Sequence, residues 1–189
     1  KSSMTQQALA RHFEKVADHS PIPILIYNVP QNTGVTIEPQ TIASLAAHPN
    51  IVGVKDSAGN FNAISETIRR VPGEFAVLAG NGGILYPSLL MGARGAILAV
   101  ACAAPRACVE LYEAVEAGNY ERARELQNRI APLSYIVTAG LGVAGLKAAM
   151  DMAGYTGGAP RAPLTELGAS DIERLKTVMR ETGLFPNLE

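Results

Sequence analysis

The chain has 189 residues, 48% of them hydrophobic and 17% charged, and a net charge of −1 from 16 basic and 17 acidic side chains. That balance describes a globular protein with ample apolar material for a core, and it supplies no overall field to draw nucleic acid or an anionic membrane surface. No apolar run is long enough to span a bilayer, and two cysteines, Cys102 and Cys108, are too few for a disulfide scaffold and read as small buried thiols.

The chain opens Lys1-Ser2-Ser3-Met4 with no initiator methionine, so a preceding segment is expected. A helix is predicted over 3–19, with Ser3 and Gln6 as a capping box and Leu9, Phe13 and Val16 on one apolar face. Pro21 and Pro23 end it and lead into a strand over 24–29. Pro30, Asn32 and Gly34 then mark a turn-rich loop. A second helix over 38–48 turns Ile42, Leu45 and Ala46 to one side, and 51–55 is the next strand. Helix 61–71, with Ile64 and Ile68 inward, precedes strand 75–79. Gly80-Asn81-Gly82-Gly83 follows, then helix 84–91 and strand 96–100. Beyond residue 100 only helices are predicted, over 106–116, 120–136, 143–154 and 170–182.

Strand and helix alternate at the length expected of a βα unit. The strands are unbroken apolar runs, the pattern of parallel strands covered on both faces. A doubly wound open sheet and a (β/α)₈ barrel both fit. The former predicts a glycine fingerprint after its first strand, and none is present. A whole barrel takes about 250 residues, and four strands are visible. The expected fold is therefore α/β: the C-terminal half of a (β/α)₈ TIM barrel in 1–118, followed by a C-terminal helical extension in 119–189.

Lys55 sits where strand 51–55 stops, and Tyr27 lies near the end of strand 24–29. In a parallel barrel the strand ends open onto the face that carries active sites. Apolar walls there favour the neutral amine that attacks a ketone, and a neighbouring phenol can relay a proton. Lys55 could equally reach solvent or pair with Asp56, and Tyr27 alone reads as a packed ring. Ser57 and Asn32, on the loops that follow, are short polar groups able to hold a carboxylate, or simply turn formers. If strand 75–79 is the seventh of a barrel, Gly80 to Gly83 occupies a position where many barrels bind phosphate; it matches neither a Walker motif nor GxGxxG, and a tight turn that lets backbone approach closely is the alternative. Lys147 is a rival nucleophile on an amphipathic helix. His12, His19 and His48 form no ligand pair at metal spacing, so no metal site is expected.

Tyr27-Asn28-Val29-Pro30 followed by Gly53-Val54-Lys55-Asp56-Ser57 resembles the dihydrodipicolinate synthase / N-acetylneuraminate lyase family. Further matches are Leu78-Ala79-Gly80, the segment Gly92 to Ile97, Gly145 to Ala148, and Gly157 to Leu164. The resemblance implies a (β/α)₈ barrel with extra helices and class I pyruvate aldol chemistry. Lys55 would form the Schiff base, Tyr27 would be the acid/base, and Gly80 and Ile97 would line the pocket. It implies a small 2-keto acid substrate, no metal or dissociable cofactor, a cytoplasmic setting, and a homotetramer or dimer. Two family features are missing: the hydroxyl pair that holds the pyruvate carboxylate, and a tyrosine that crosses the dimer interface. Both belong to the family's first barrel half. Asn32 stands where the dihydrodipicolinate synthases usually carry an arginine. With Asp56-Ser57-Ala58-Gly59, this tilts the likeness towards the 4-hydroxy-2-oxoglutarate aldolase branch. A lysine-pathway synthase, a phosphate-gripping isomerase barrel and a non-catalytic keto-acid-binding homologue are the competing readings.

Overall fold

The computed structural model describes residues 4–186. The chain divides into two compact units, Lys1–Asn81 with Pro87–Ile97 and Gly82–Tyr86 with Leu98–Glu189.

In the first unit, α1 (Gln6–His19) leads to β1 (Ile24–Asn28), the short α2 (Pro30–Thr33) and α3 (Pro39–Leu45). Then come β2 (Ile51–Asp56), α4 (Phe61–Arg70) and β3 (Ala76–Ala79), and the unit ends with β4 (Gly95–Ala96). The strands form one parallel sheet in the order β1-β2-β3-β4. Sequential order with helical crossovers is what repeated βα units produce.

Local chemistry sets the helix boundaries. The Thr5 hydroxyl accepts from the Ala8 N–H at 3.2 Å and caps α1. The cap is therefore Thr5, and the expected Ser3 box lies outside the described residues. Asn60 caps α4 in the same way, accepting from the Ala63 N–H. Pro39 starts α3 at a position where a missing N–H costs nothing. The loop expected after β1 contains one helical turn, begun by Pro30 and closed by Gly34 at φ 69°.

Alternate residues separate the two faces of the sheet. Ile26, Asn28, Val54, Asp56, Val77 and Ala79 are buried beneath the helices. Their core partners include Leu9 and Ala17 of α1, Ile42 and Leu45 of α3, and Ile64 of α4. Ala17 rather than Val16 completes the buried stripe of α1; Val16 is 43% exposed. The other face is more open, with Leu25 and Tyr27 exposed and Lys55, Ala76 and Leu78 half-buried. In this chain the apolar runs are buried beneath helices on one face of the sheet, and the opposite face is half-open.

The last strand is also shorter than predicted. β4 is two residues long, with Leu78 paired to Gly95 and Ala79 to Ala96. One further ladder bond runs from the Ile97 N–H to the Ala79 carbonyl. Past that point β3 offers no more partners, and a 3₁₀ turn takes Val100–Cys102.

The second unit is helical. It contains the 3₁₀ turn Gly82–Ile84 and the start of α5 (Leu85–Leu90), then α6 (Pro105–Glu116), α7 (Tyr120–Tyr135), α8 (Gly142–Met152) and α9 (Ala169–Thr182). Leu111, Leu126, Ile130, Leu133, Leu175 and Met179 are essentially inaccessible at its centre. Buried Gln127 accepts from the Tyr86 N–H at 2.7 Å and donates to the Gly82 carbonyl at 2.9 Å. The Arg129 guanidinium donates to the carbonyls of Thr182 and Gly183, tying α7 to the end of α9. α7 holds Pro132 and runs into a π-helical turn, Ile136–Gly140. Cys102 is exposed, whereas Cys108 on α6 is buried and its thiol is pushed up to about 11 by that burial.

Two outcomes follow from this packing. Ile64→Ala deletes a wholly buried side chain of α4 from the core of the first unit; a loss of about 2–5 kcal/mol is expected from chemical denaturation. A thiol reagent at pH 8 is expected to modify Cys102 first and Cys108 only on unfolding. Because the folded thiol's value is raised, the stability it lends is complete below its ordinary 9.0 and disappears as pH climbs towards about 11. Denaturation midpoints of wild type and Cys108→Ala should therefore respond differently to pH over that interval.

Candidate active site

Parallel pairing places Tyr27 directly opposite Lys55. Side chains at paired positions of parallel strands share a face, so both project from the more open side of the sheet. The Lys55 Nζ stands over the Tyr27 ring, 4.4 Å from its centroid. An ammonium in that place is attracted by the ring's quadrupole, which holds the two groups together. Lys55 joins no salt bridge among the described residues. Asp56, the alternative partner considered for it, faces the opposite side of the sheet and bonds to Asn28 instead. The other flank of Tyr27 borders a hollow of about 360 Å³ that α1 lines with Ala8, Leu9, His12 and Phe13.

Ser57 and Gly80 meet where β2 and β3 end. The Ser57 N–H donates to the Asn28 carbonyl at 2.8 Å, and the Gly80 N–H donates to the Asp56 carbonyl at 2.7 Å, so the ladder extends one step past each strand. A Cβ on Gly80 would lie 2.0 Å from the Ser57 Oγ and 2.8 Å from the Asp56 carbonyl oxygen. Only glycine fits there, and this close approach is what packs the Ser57 hydroxyl against the third strand. Ser57 is 8% exposed.

Ile97 is joined to the same sheet end through its N–H and is exposed. Asn32 is exposed on α2. Its neighbour Gln31 reaches across instead: the Gln31 Nε2 donates to the Ser57 carbonyl at 2.9 Å. Sequence reasoning missed Gln31 and the Asn28–Asp56 pair. The one signal in the sequence was spacing, since Asn28 and Asp56 stand 28 residues apart, as Tyr27 and Lys55 do.

The rival lysine is otherwise engaged. Lys147 Nζ donates to the Gly157 carbonyl at 2.6 Å, while the Asp151 carboxylate accepts from the Gly157 N–H at 2.7 Å. A Cβ on Gly157 would meet the Lys147 carbonyl oxygen at 2.0 Å, so this clasp also requires glycine. The glycine-rich turn weighed as a phosphate site is partly a 3₁₀ helix, with the Gly82 carbonyl held by Gln127. Among the described residues, no three His, Cys, Asp or Glu side chains are grouped to hold a metal ion, and no helix is long and apolar enough to cross a membrane.

Comparison with known proteins supplies the context for this geometry. A 4-hydroxy-tetrahydrodipicolinate synthase of Archaeoglobus fulgidus is 37% identical over 179 residues, covering 95% of this chain and 62% of the relative. The enzyme of the same name from Methanospirillum hungatei is 39% identical over 175 residues, covering 92% and 60%. Among solved structures, dihydrodipicolinate synthase from Thermotoga maritima superposes with a TM-score of 0.89 at 30% identity, covering 96% of this chain and 63% of that one. A prophage protein of the dihydrodipicolinic acid synthase family from E. coli K12, in complex with pyruvate, gives 0.87 at 29% identity, covering 97% and 63%. The chain thus spans about three fifths of the length of the curated relatives it matches. Its sheet and helices form a partial (β/α)₈ barrel. The profile of the dihydrodipicolinate synthetase family matches residues 2–182, and the chain belongs to that family.

Proposed function

We propose that this chain carries the Schiff-base lysine and the proton relay of a pyruvate-dependent class I aldolase. The single observation behind this reading is the Lys55 amine standing 4.4 Å from the centre of the Tyr27 ring at paired strand ends. An amine nucleophile beside a phenol is the arrangement carbonyl chemistry of this kind needs. In the proposed cycle the Lys55 amine attacks the C2 ketone of 4-hydroxy-2-oxoglutarate. Loss of water leaves an iminium. The Tyr27 oxygen accepts the C4 hydroxyl proton as the C3–C4 bond breaks. That electron pair passes into the iminium, giving an enamine on Lys55 and free glyoxylate. C3 then takes a proton back, and water hydrolyses the iminium to release pyruvate and the amine. Ser57 and Asn32 are assigned to the substrate's carboxylates, Gly80 and Ile97 to the pocket wall. No cofactor enters the cycle, because the lysine itself supplies the electron sink.

The loop after β1 supports this choice of substrate. Asn32 presents a neutral amide where the synthase branch presents a guanidinium, and a charged bidentate bond is worth about 1.5–3 kcal/mol. A second reading, condensation of pyruvate with aspartate semialdehyde, is favoured by the names of the curated relatives. The proposal also takes 1–118 as barrel and 119–189 as helical extension, and it carries a cytoplasmic setting and a dimer or tetramer, the last checked by light scattering.

Borohydride reduction of the full-length protein in the presence of pyruvate is expected to leave a covalent adduct on Lys55. Absence of that adduct ends the proposal. Tyr27→Phe should still be trapped but lose about 10²–10⁴-fold in turnover. Turnover on 4-hydroxy-2-oxoglutarate, set against turnover on pyruvate with aspartate semialdehyde, decides between the two reactions, and the former is expected to be faster. Asn32→Arg is expected to narrow the difference by about 10–100-fold.

A further inference from the structure

β1 and β2 are paired in two registers. Ile24 faces Ile51, but Leu25 faces Gly53, so Val52 is left without a partner. Val52 is accordingly 41% exposed although Ile51 and Gly53 on either side are buried. This is a bulge, and it moves every later pair by one residue. Had the first register continued, Tyr27 would face Val54 and Lys55 would face Asn28. A one-residue change also exchanges the faces that side chains occupy relative to their partners. The meeting of Tyr27 with Lys55 therefore depends on whatever holds the second register at the strand ends.

The strongest hold lies on the covered face, one residue beyond each member of the pair. Asn28 and Asp56 are 2% and 4% exposed. The Asn28 Nδ2 donates to the Asp56 Oδ2 at 2.7 Å and to the Ile37 carbonyl at 3.3 Å. The Asn28 Oδ1 accepts from the Ile37 N–H at 3.0 Å, and the Asp56 Oδ1 accepts from the Ala58 N–H at 3.0 Å. Donors and acceptors match only when Asn28 stands opposite Asp56. In the other register Asn28 would face the lysine, and the buried amide and carboxylate would lose their partners, which is costly in a low-dielectric interior.

We infer that Asn28 and Asp56 are positioning residues: their buried amide–carboxylate bond selects the register that sets Tyr27 against Lys55. The inference rests on the reading of Lys55 as nucleophile and Tyr27 as relay, and it deepens that reading. It also specifies what each substitution does. Asp56→Asn sets two amide NH₂ groups face to face. Turning the Asn28 amide relieves that clash but points its NH₂ at the Ile37 N–H. Asn28→Asp sets two carboxylates together. The exchange of both, Asn28→Asp with Asp56→Asn, restores one donor against one acceptor and keeps the bonds from the Ile37 and Ala58 N–H groups, losing only the 3.3 Å bond to the Ile37 carbonyl.

Two measurements on the full-length protein test this. The first is the rate of borohydride-trapped adduct formation per folded molecule. Each single variant should be slowed about tenfold or more, the loss falling on kcat rather than KM, and the exchange should recover to within about threefold of wild type. The second is the NMR shift of the Lys55 ε-methylene, which the Tyr27 ring current displaces whether or not the lysine is a nucleophile. It should be displaced in wild type and in the exchange, and not in the singles. Ile64→Ala serves as the control for general loosening: it should lower the melting temperature and leave both readouts unchanged. Singles that melt early but trap and shift like wild type would overturn the inference, as would an exchange no better than either single. If the singles do not fold, the exchange decides, by folding with the shift restored or failing to do so. A wild-type protein that shows the shift but traps no pyruvate would remove the aldolase reading and leave the register claim standing.

Discussion

Parallel strands carry their side chains in phase, so a residue and its partner must share a face, and register becomes the constraint on which this site depends. Over Leu25 to Asn28 the pairing with Gly53 to Asp56 decides four things at once. It puts the phenol of Tyr27 beside the amine of Lys55. It puts Asn28 against Asp56 on the buried side. It carries the ladder on into Ser57, whose N–H finds the Asn28 carbonyl, and it leaves the Asp56 carbonyl free to receive the Gly80 N–H. The close spacing is enforced by glycine at two points. A Cβ at Gly53 would lie 2.4 Å from the Ala76 carbonyl oxygen, and one at Gly80 would overlap Ser57. Side-chain bulk is thus absent where backbone must approach backbone, and the hydroxyl of Ser57 is placed by what Gly80 lacks.

Much of this was legible in the sequence, and the boundary of legibility is physical. Three of the strands and most of the helices follow from apolar periodicity, proline and glycine, because those signals are local. Tyr27 and Lys55 could be singled out because each stands at the end of an apolar run. The fourth strand was over-extended because Ala96 to Val100 is β-compatible in composition, yet a strand needs a partner, and β3 runs out at Ala79. The pairing of Asn28 with Asp56 was missed for the same reason in reverse: composition marks both as polar, and only a register, with its bulge at Val52, makes them neighbours. Gln31 belongs to this class too, since its bond to the Ser57 carbonyl spans two loops that the sequence separates.

The two lysines of the sequence reading show how bonding separates residues that composition treats alike. The Lys147 amine is committed, donating to the Gly157 carbonyl inside a turn that admits only glycine, with Asp151 accepting from the N–H of the same residue. Taking that amine for chemistry would leave the carbonyl without its donor and loosen the clasp. The Lys55 amine has an aromatic face as its neighbour and no carboxylate within salt-bridge distance among the described residues. Asp56, adjacent in sequence, is removed from it by the alternation of the strand and consumed by Asn28 and the Ala58 N–H. By turning Asp56 inward, the sheet leaves the Lys55 amine with an aromatic neighbour and no carboxylate partner on its own face.

On the proposed reading, the loop after β1 carries the same logic into substrate choice. Gln31 spends its amide on the Ser57 carbonyl, which fixes the loop against the end of β2. Pro30 and Gly34 close the turn between them, so Asn32 is presented at a defined place rather than on a free tether. A primary amide there offers N–H donors and a carbonyl acceptor, whereas a guanidinium offers a fork of donors and a full charge. Charged hydrogen bonds contribute about 1.5–3 kcal/mol against roughly 0.5–1.5 for neutral ones. The amide is therefore weaker towards a second carboxylate, but it tolerates a hydroxyl or carbonyl that a guanidinium would have to desolvate for. On the proposed reading, the loop sets a preference between carbonyl partners of modestly different charge placement, while the paired strands beneath it set the chemistry common to both.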